Sequence, residues 1–256
     1  MSIFKRLLGQ SSKAAQPTVN NPRIKPKDER KAECPYCHEV LKQIPGSKTK
    51  CPHCGRFMYV RTHTDDQIRV VVTEEDANKI DEEWSIVNGT HDEFVAEKQA
   101  FEDEREVLRK RFGMEPPEND VKWSIFNKQR LQQAIAGNWG FYRNTTFEMA
   151  ELLRKEGRHK GALAKYFEVC YLDLNGPENR GGMPQELREE FPFFDPKNAF
   201  LAPGVIRLIK TMAKKLSLNE TDIKQLFLDQ SKRTNDNLKL SVSPEDSWSK
   251  IEEQLR

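Results

Sequence analysis

The chain has 256 residues, 32% of them charged and 36% hydrophobic, with a formal net charge of +2. That length accommodates one large or two small domains, and the charge content excludes a large apolar interior in favour of modest cores and long solvated helices. No apolar run approaches the roughly 18 residues of a membrane span, and MSIFKRLLGQ is too short for a secretory h-region, so the expected location is the cytoplasm.

The small net charge hides a split. Residues 1–63 hold 13 Lys and Arg against 4 Asp and Glu, and the remainder is net acidic. Such an asymmetry suits a polyanionic partner or attraction within the chain, and a solvated basic tail would look the same.

In chain order, Phe4, Leu7 and Leu8 share one face of a short amphipathic start over residues 1–10, which suits weak peptide docking. Up to residue 32 the sequence is rich in Ser, Gln, Asn, Pro and Lys, with too few apolar residues to offset ordering entropy, and is expected to be a disordered basic linker. Residues 33–73 hold Cys34, Cys37, Cys51 and Cys54, two CxxC pairs separated by thirteen residues. Each pair turns two thiolates toward one ion, and two such knuckles complete a tetrahedron. Phe57 to Val72 then reads as two strands around Thr64-Asp65-Asp66, with Phe57 and Tyr59 on one face and Met58 and Val60 on the other.

From Glu74 to residue 256 the patterns are helical. Thr73 with Asp76 predicts a capped helix to Val87, and Thr90 with Glu93 has the same spacing ahead of a helix whose face is Phe94, Phe101, Leu108 and Phe112. A third helix is expected over 121–136, which carries Ile125, Leu131 and Ile135. Residues 65–120 carry 18 acidic and 7 basic residues, most simply a solvated side of these helices. Around 146–174 two helical patterns meet at Gly157, then a loop, NGPENRGGMP, leads to helices over 203–216 and 221–232 and a last one opened by Ser243-Pro244. The fold class expected is mainly α, with a small N-terminal zinc ribbon of β hairpins ahead of an α-helical domain built on helix-hairpin packing.

The four cysteines with their flanking Pro35, Pro52 and Gly55 resemble a zinc ribbon. Cys34-Pro-Tyr-Cys-His38 also spells the haem-attachment CxxCH, but that leaves the second pair unexplained; a thioredoxin-like pair lacks its βαβ setting, and disulfides suit an oxidising compartment. One structural Zn2+ is the expected cofactor, with iron on the same four thiolates the open alternative. His38 and His53 are expected outside the ligand set, and Cys170 to be a small buried hydrophobe. The spacing Ala150, Gly157, Ala162, Tyr166 resembles one tetratricopeptide-type helix hairpin, although the early tryptophan is missing and Asn175-Gly176 stands where a proline is usual. The combination resembles uncharacterised zinc-ribbon proteins of bacteria and their phages.

No nucleophile–base motif, phosphate loop or paired-carboxylate pattern is present, so the chain reads as non-enzymatic. The first expectation is an adaptor or scaffold that makes protein contacts through its helical domain. The second is nucleic-acid binding by the ribbon and tail, with Lys42, Lys48, Lys50, Arg56 and Arg61 on phosphates and Tyr59, with Tyr36 and Phe57, on bases.

Overall fold

The computed structural model describes residues 32–178, 184, 186–187 and 193–256. The expected amphipathic start, nearly all of the basic linker and part of the loop after Gly176 lie outside these residues. Among them are a three-stranded antiparallel sheet and eight α-helices, a mainly helical fold with the sheet ahead of the helices. The backbone divides into two compact units, 1–99 and 100–256.

In the first unit the sheet order is β1 (Thr49–Lys50), β2 (Phe57–Thr62), β3 (Arg69–Val72). The turn between β2 and β3 is closed by aspartates, as the sequence suggests: Asp65 Oδ1 accepts from the Asp66 amide at 2.8 Å and Asp66 Oδ1 from the Ile68 amide at 2.9 Å. Alternation along β2 sends Met58 into a small core with Cys34 and Cys51, flanked by Tyr36, Leu41 and Val71. Tyr59 points to the other face.

Helix α1 (Glu74–Val87) starts at Thr73, whose Oγ1 accepts from the Asp76 amide at 3.1 Å. It lies on β2, where Trp84 Nε1 donates to the Thr62 carbonyl at 2.7 Å and Arg61 grips Asp81 through two bonds of 2.6 and 2.8 Å. The box anticipated at Thr90 and Glu93 does not form. Gly89 and Thr90 close α1 instead, donating to the Ile86 and Ser85 carbonyls, and the Thr90 hydroxyl also turns back to Ser85. One residue cannot serve both as the wrap of the first helix and as the side-chain cap of the next.

The chain passes to the second unit within α2 (His91–Phe112), followed by α3 (Glu118–Ile135), α4 (Trp139–Lys155), α5 (His159–Leu174), α6 (Pro203–Lys215), α7 (Glu220–Leu238) and α8 (Pro244–Leu255). On α2 Leu108 is buried as expected, Phe94 and Phe101 are half-buried under Lys98 and Arg105, and Phe112 is exposed. The last two helices have the signals their sequence carries: Asn219 and Asp222 form a reciprocal capping box, and Ser243 Oγ accepts from the Asp246 amide ahead of Pro244. Helix α7 runs past the anticipated Lys232 and stops only at Lys239, which adopts a left-handed conformation.

Helix α5 is the axis of this unit. It packs against α4, α6, α7 and α8, and from Tyr166 to Leu174 every side chain is buried. The residues of the hairpin spacing have structural work there: Ala150 and Ala162 are fully buried, Gly157 takes the positive φ of 77° that closes α4, and Tyr166 reaches Glu151. Phe167, Tyr171 and Trp248 crowd edge-on or tilted around Phe227. Charges inside are paired. Glu168 accepts from Arg130 at 2.7 Å, Lys165 at 2.6 Å and Gln230 at 3.2 Å, and Arg143 holds Asp173 through two 2.7 Å bonds. Cys170 sits beside Asp173 in apolar surroundings, and burial pushes its thiol up, in keeping with an inert core residue.

Helix α3 does not bury all of the apolar residues it carries. Val121, Phe126, Gln129 and Gln133 are buried, Ile125 is half-buried, and Leu131 and Ile135 are 62% and 79% exposed. Phe126 packs with Met149 and Leu152 of α4, and Arg130 reaches across to Tyr142 and Glu168, so the partner helix and the ion pair choose the face over apolar count.

Gly176, two residues beyond α5, has φ of 65°, and a β-carbon there would run into the Asp195 carbonyl oxygen. Its own carbonyl accepts from the Asp195 amide at 3.1 Å, tying the end of α5 to the Pro196–Asn198 turn. Gly176→Ala should therefore cost roughly 2–4 kcal/mol, from left-handed strain plus overpacking. Thermal unfolding followed by circular dichroism should show a fall in Tm of several degrees, whereas Gly204→Ala, with open space at its β-carbon, should leave Tm within a degree or two.

Candidate metal centre

Two copies of one backbone turn build the site. In the first, the Cys34 amide donates to the Glu39 carbonyl and the His38 amide to the Cys34 carbonyl, both at 2.9 Å; in the second, Cys51 donates to Arg56 at 2.8 Å and Gly55 to Cys51 at 3.0 Å. The fifth position of each turn has a positive φ, 59° at His38 and 72° at Gly55. Glycine is the unstrained choice there, so His38 is present at a conformational cost.

The turns face each other so that all four sulfurs lie within 4.8 Å of one another. Cys34 and Cys54 approach to 3.8 Å, as do Cys37 and Cys51. A tetrahedron with metal–sulfur bonds of about 2.3 Å has an edge of about 3.8 Å, so the spacing fits four thiolates on one ion. Cys34 and Cys51 are buried while Cys37 and Cys54 face outward, which places the site at the surface of the unit.

The thiols are electrostatically linked. At Cys51 the backbone amide of Cys54 acts first, opposed by desolvation and helped by the His53 amide at 3.4 Å from the sulfur, and the thiol is pulled down to about 6. At Cys37 the Glu39 amide pulls in the same direction, but desolvation and three neighbouring sulfurs outweigh it and push the thiol up to about 12. Successive ionisation is thus opposed unless positive charge enters the cluster. His38 and His53 stay outside it: His53 Nε2 lies 4.0 Å from Glu39 Oε1, and the four-residue cluster contains cysteines only.

The candidate nucleic-acid residues divide. Lys48, Lys50 and Tyr59 share one face of β1–β2 with Phe57: Lys50 pairs across from Phe57, the Lys48 ammonium lies 5.0 Å from the Phe57 ring centre and 4.4 Å from that of Tyr59, and Lys50 lies 5.1 Å from Phe57. Arg56 lies over Tyr36 of the first turn at 5.2 Å, and Lys42 is exposed in the loop between the turns. Arg61 is occupied by Asp81, and Tyr59 is buried with its hydroxyl between Lys48, at 2.6 Å, and Glu74. The two acids were legible only in hindsight: Glu74 and Asp81, seven apart on a helix, match Tyr59 and Arg61, two apart on a strand.

Two further features had no sequence motif. Ser85 Oγ is 3.1 Å from His91 Nδ1, but it is buried and gives its proton to the Glu82 carbonyl at 2.6 Å, so His91 donates to it and is not placed as its base. In the second unit, Leu108, Phe112, Met114, Pro116, Pro117, Asp120 and Trp123 line an open apolar groove of about 510 Å³ at the α2–α3 turn. No helix among the described residues is long and apolar enough to cross a membrane.

No protein-family model matches this chain, and neither a curated protein nor a solved structure shows significant similarity to it.

The site predicts one metal ion per chain. Serine at any of Cys34, Cys37, Cys51 or Cys54 should abolish stoichiometric metal in elemental analysis, whereas His38→Gly and His53→Ala should retain it, and His38→Gly should stabilise the first unit by about 1 kcal/mol through relief of the left-handed residue. Because α1 is held to β2 by Arg61–Asp81 and Trp84, chelation should speed amide exchange in α1 as well as in the sheet. Amides of α5 should keep their protection; exchange mass spectrometry resolves the two.

Proposed function

We propose that this protein is a non-enzymatic adaptor, in which a structural zinc ribbon is joined to helices that hold a partner protein. Four thiolates fill every position of a tetrahedral ion and leave none for an activated water, which favours a structural over a catalytic metal. Zinc is the ion we assign, since the thiolate tetrahedron suits it and it brings no redox chemistry to the cell interior. The tetratricopeptide-like hairpin of α4 and α5 serves as the packed support on which α3 rests.

The observation that carries the adaptor reading is the groove at the α2–α3 turn. Phe112 and Met114 are 61% and 67% exposed, and Pro116, Pro117 and Trp123 give their surroundings a rigid apolar shape. Exposed apolar surface of that kind, with polar residues around it, marks a recognition site. The occupant we assign is an amphipathic helix of a partner protein, anchored by apolar residues at i, i+3 or i+4 and i+7. It should carry a Lys or Arg beside that stripe, because Asp120 lines the groove without an ion-pair partner among the described residues.

Selection of a displayed peptide library on the full-length, metal-loaded protein should enrich sequences with that apolar spacing and a basic residue. Phe112→Glu should weaken the selected peptides by tenfold or more, and Asp120→Lys should weaken those with the basic residue. Enrichment of unpatterned peptides, or affinity indifferent to Phe112→Glu, would remove the reading. Elemental analysis should find zinc, not iron, in a 1:1 ratio to chain.

A further inference from the structure

We infer that the open face of β1–β2 is a platform for single-stranded nucleic acid, on which a base stacks against Phe57 while Lys48 and Lys50 hold the flanking phosphates. The surface belongs to the first unit and is independent of the groove at the α2–α3 turn.

Phe57 opens β2 at the residue paired with Lys50, and its ring remains 47% exposed although two ammonium groups lie within about 5 Å of it. Lysines over an aromatic ring are also a way of covering an exposed phenylalanine, so the charges around them decide the matter. Of the other cations of this unit, Lys79 has Glu75 and Asp76, Lys98 has Glu82 and Arg61 has Asp81, while Arg69 donates to the Pro45 and Gly46 carbonyls and Arg56 lies over the Tyr36 ring. Lys48 and Lys50 have none among the described residues, although the chain that follows is rich in acids. Glu74 is engaged by the Tyr59 hydroxyl, which donates to it.

The ring and the cations are also held in place. Lys48 donates to Tyr59, Tyr59 is fixed to α1 through Glu74, and the alternation that exposes Phe57 and the two lysines is pinned by Met58, buried on the other side against Cys34 and Cys51. Lys48, just ahead of β1, and Lys50, at its end, bring their ammonium groups to 5.0 and 5.1 Å from the centre of the ring. A preset aromatic face between two cations suits a splayed base with its neighbouring phosphates. A duplex keeps its base faces stacked inside, so the platform selects single strands.

The test uses full-length, metal-loaded protein and fluorescein-labelled dT12 and rU12, followed by anisotropy from low to physiological salt, with a 12-base-pair duplex and a polyglutamate peptide as comparisons. One or both single strands should bind more tightly than the duplex. Phe57→Ala should weaken binding roughly 5- to 150-fold with its salt slope unchanged, and Phe57→Trp should preserve or tighten it. Lys48→Gln and Lys50→Gln should each reduce the salt slope by about 0.7. Metal content, measured for every variant, separates a lost platform from a lost fold, and Phe57→Leu supplies a ring-free side chain of similar bulk should alanine release the metal.

Absence of binding at low salt would overturn the inference, as would duplex binding as tight as single-strand binding, or affinity unchanged in both Phe57→Ala and Phe57→Leu. Equal capture of polyglutamate, with the same loss in the Phe57 variants, would assign the face to an acidic protein segment instead.

Discussion

Four thiols within 4.8 Å of one another cannot all ionise unless a cation stands among them, and the first unit depends on that constraint. The apolar cluster around the sulfurs is Cys34, Cys51 and Met58 with a few half-buried neighbours, too little by itself to offset the ordering of this short ribbon, and Tyr59, Ala77 and Ile80 add only a little more buried apolar surface to the unit. A divalent ion on the four sulfurs would supply what burial does not. The amides that close each turn, at His38 and Gly55, spend their backbone hydrogen bonds on bringing two sulfurs to the same side, so the ion and the turns are mutually required. The cost of a left-handed His38 is tolerable only in a turn held by something stronger than local preference.

The second unit has the opposite economy. There α5 packs against four helices and contributes the largest share of a continuous core, which does what the sulfur cluster does in the first unit. What limits freedom in that core is polar. Glu168 receives three donors from α3, α5 and α7, and Arg143 of α4 reaches Asp173 of α5. Such pairs contribute little net stability against well-packed apolar replacements, because desolvation offsets attraction; burial in fact pushes the Asp173 carboxyl up despite the Arg143 bonds. Leaving one partner alone is what costs, and that asymmetry fixes how α3, α4 and α7 are set around α5.

Local chemistry made most of this readable. Caps at Thr73 and Ser243 and the aspartate-rich turn after β2 are each decided within four residues, and the cysteine spacing needs no partner outside itself to imply a metal. The misreadings share a cause. Ile125, Leu131 and Ile135 mark a helix without saying which face it buries, and an apolar count cannot see that Arg130 has a buried carboxylate waiting 38 positions later. Thr90 carried the letters of a cap, and the competing demand came from the end of the preceding helix. Arg61 and Tyr59 looked available for a ligand because their occupants, Asp81 and Glu74, lie on a helix whose docking onto β2 has no signature in sequence. The groove at the α2–α3 turn was invisible for a related reason: Leu108, Pro116 and Trp123 are unremarkable separately and form a surface only when two helices meet.

A single strand links the metal to the outer face. Successive residues of β2 alternate, so Met58 closes the sulfur core while Phe57 and Tyr59 stand on the other side with Lys48 and Lys50. A shift of register by one residue would exchange the two sets, placing an aromatic ring against the sulfurs and a thioether in solvent. An ion held by the four sulfurs would forbid that shift, because β1 runs directly into Cys51 and β2 begins three residues after Cys54. Holding the sulfurs therefore also fixes which side chains face outward and how far apart the cations stand.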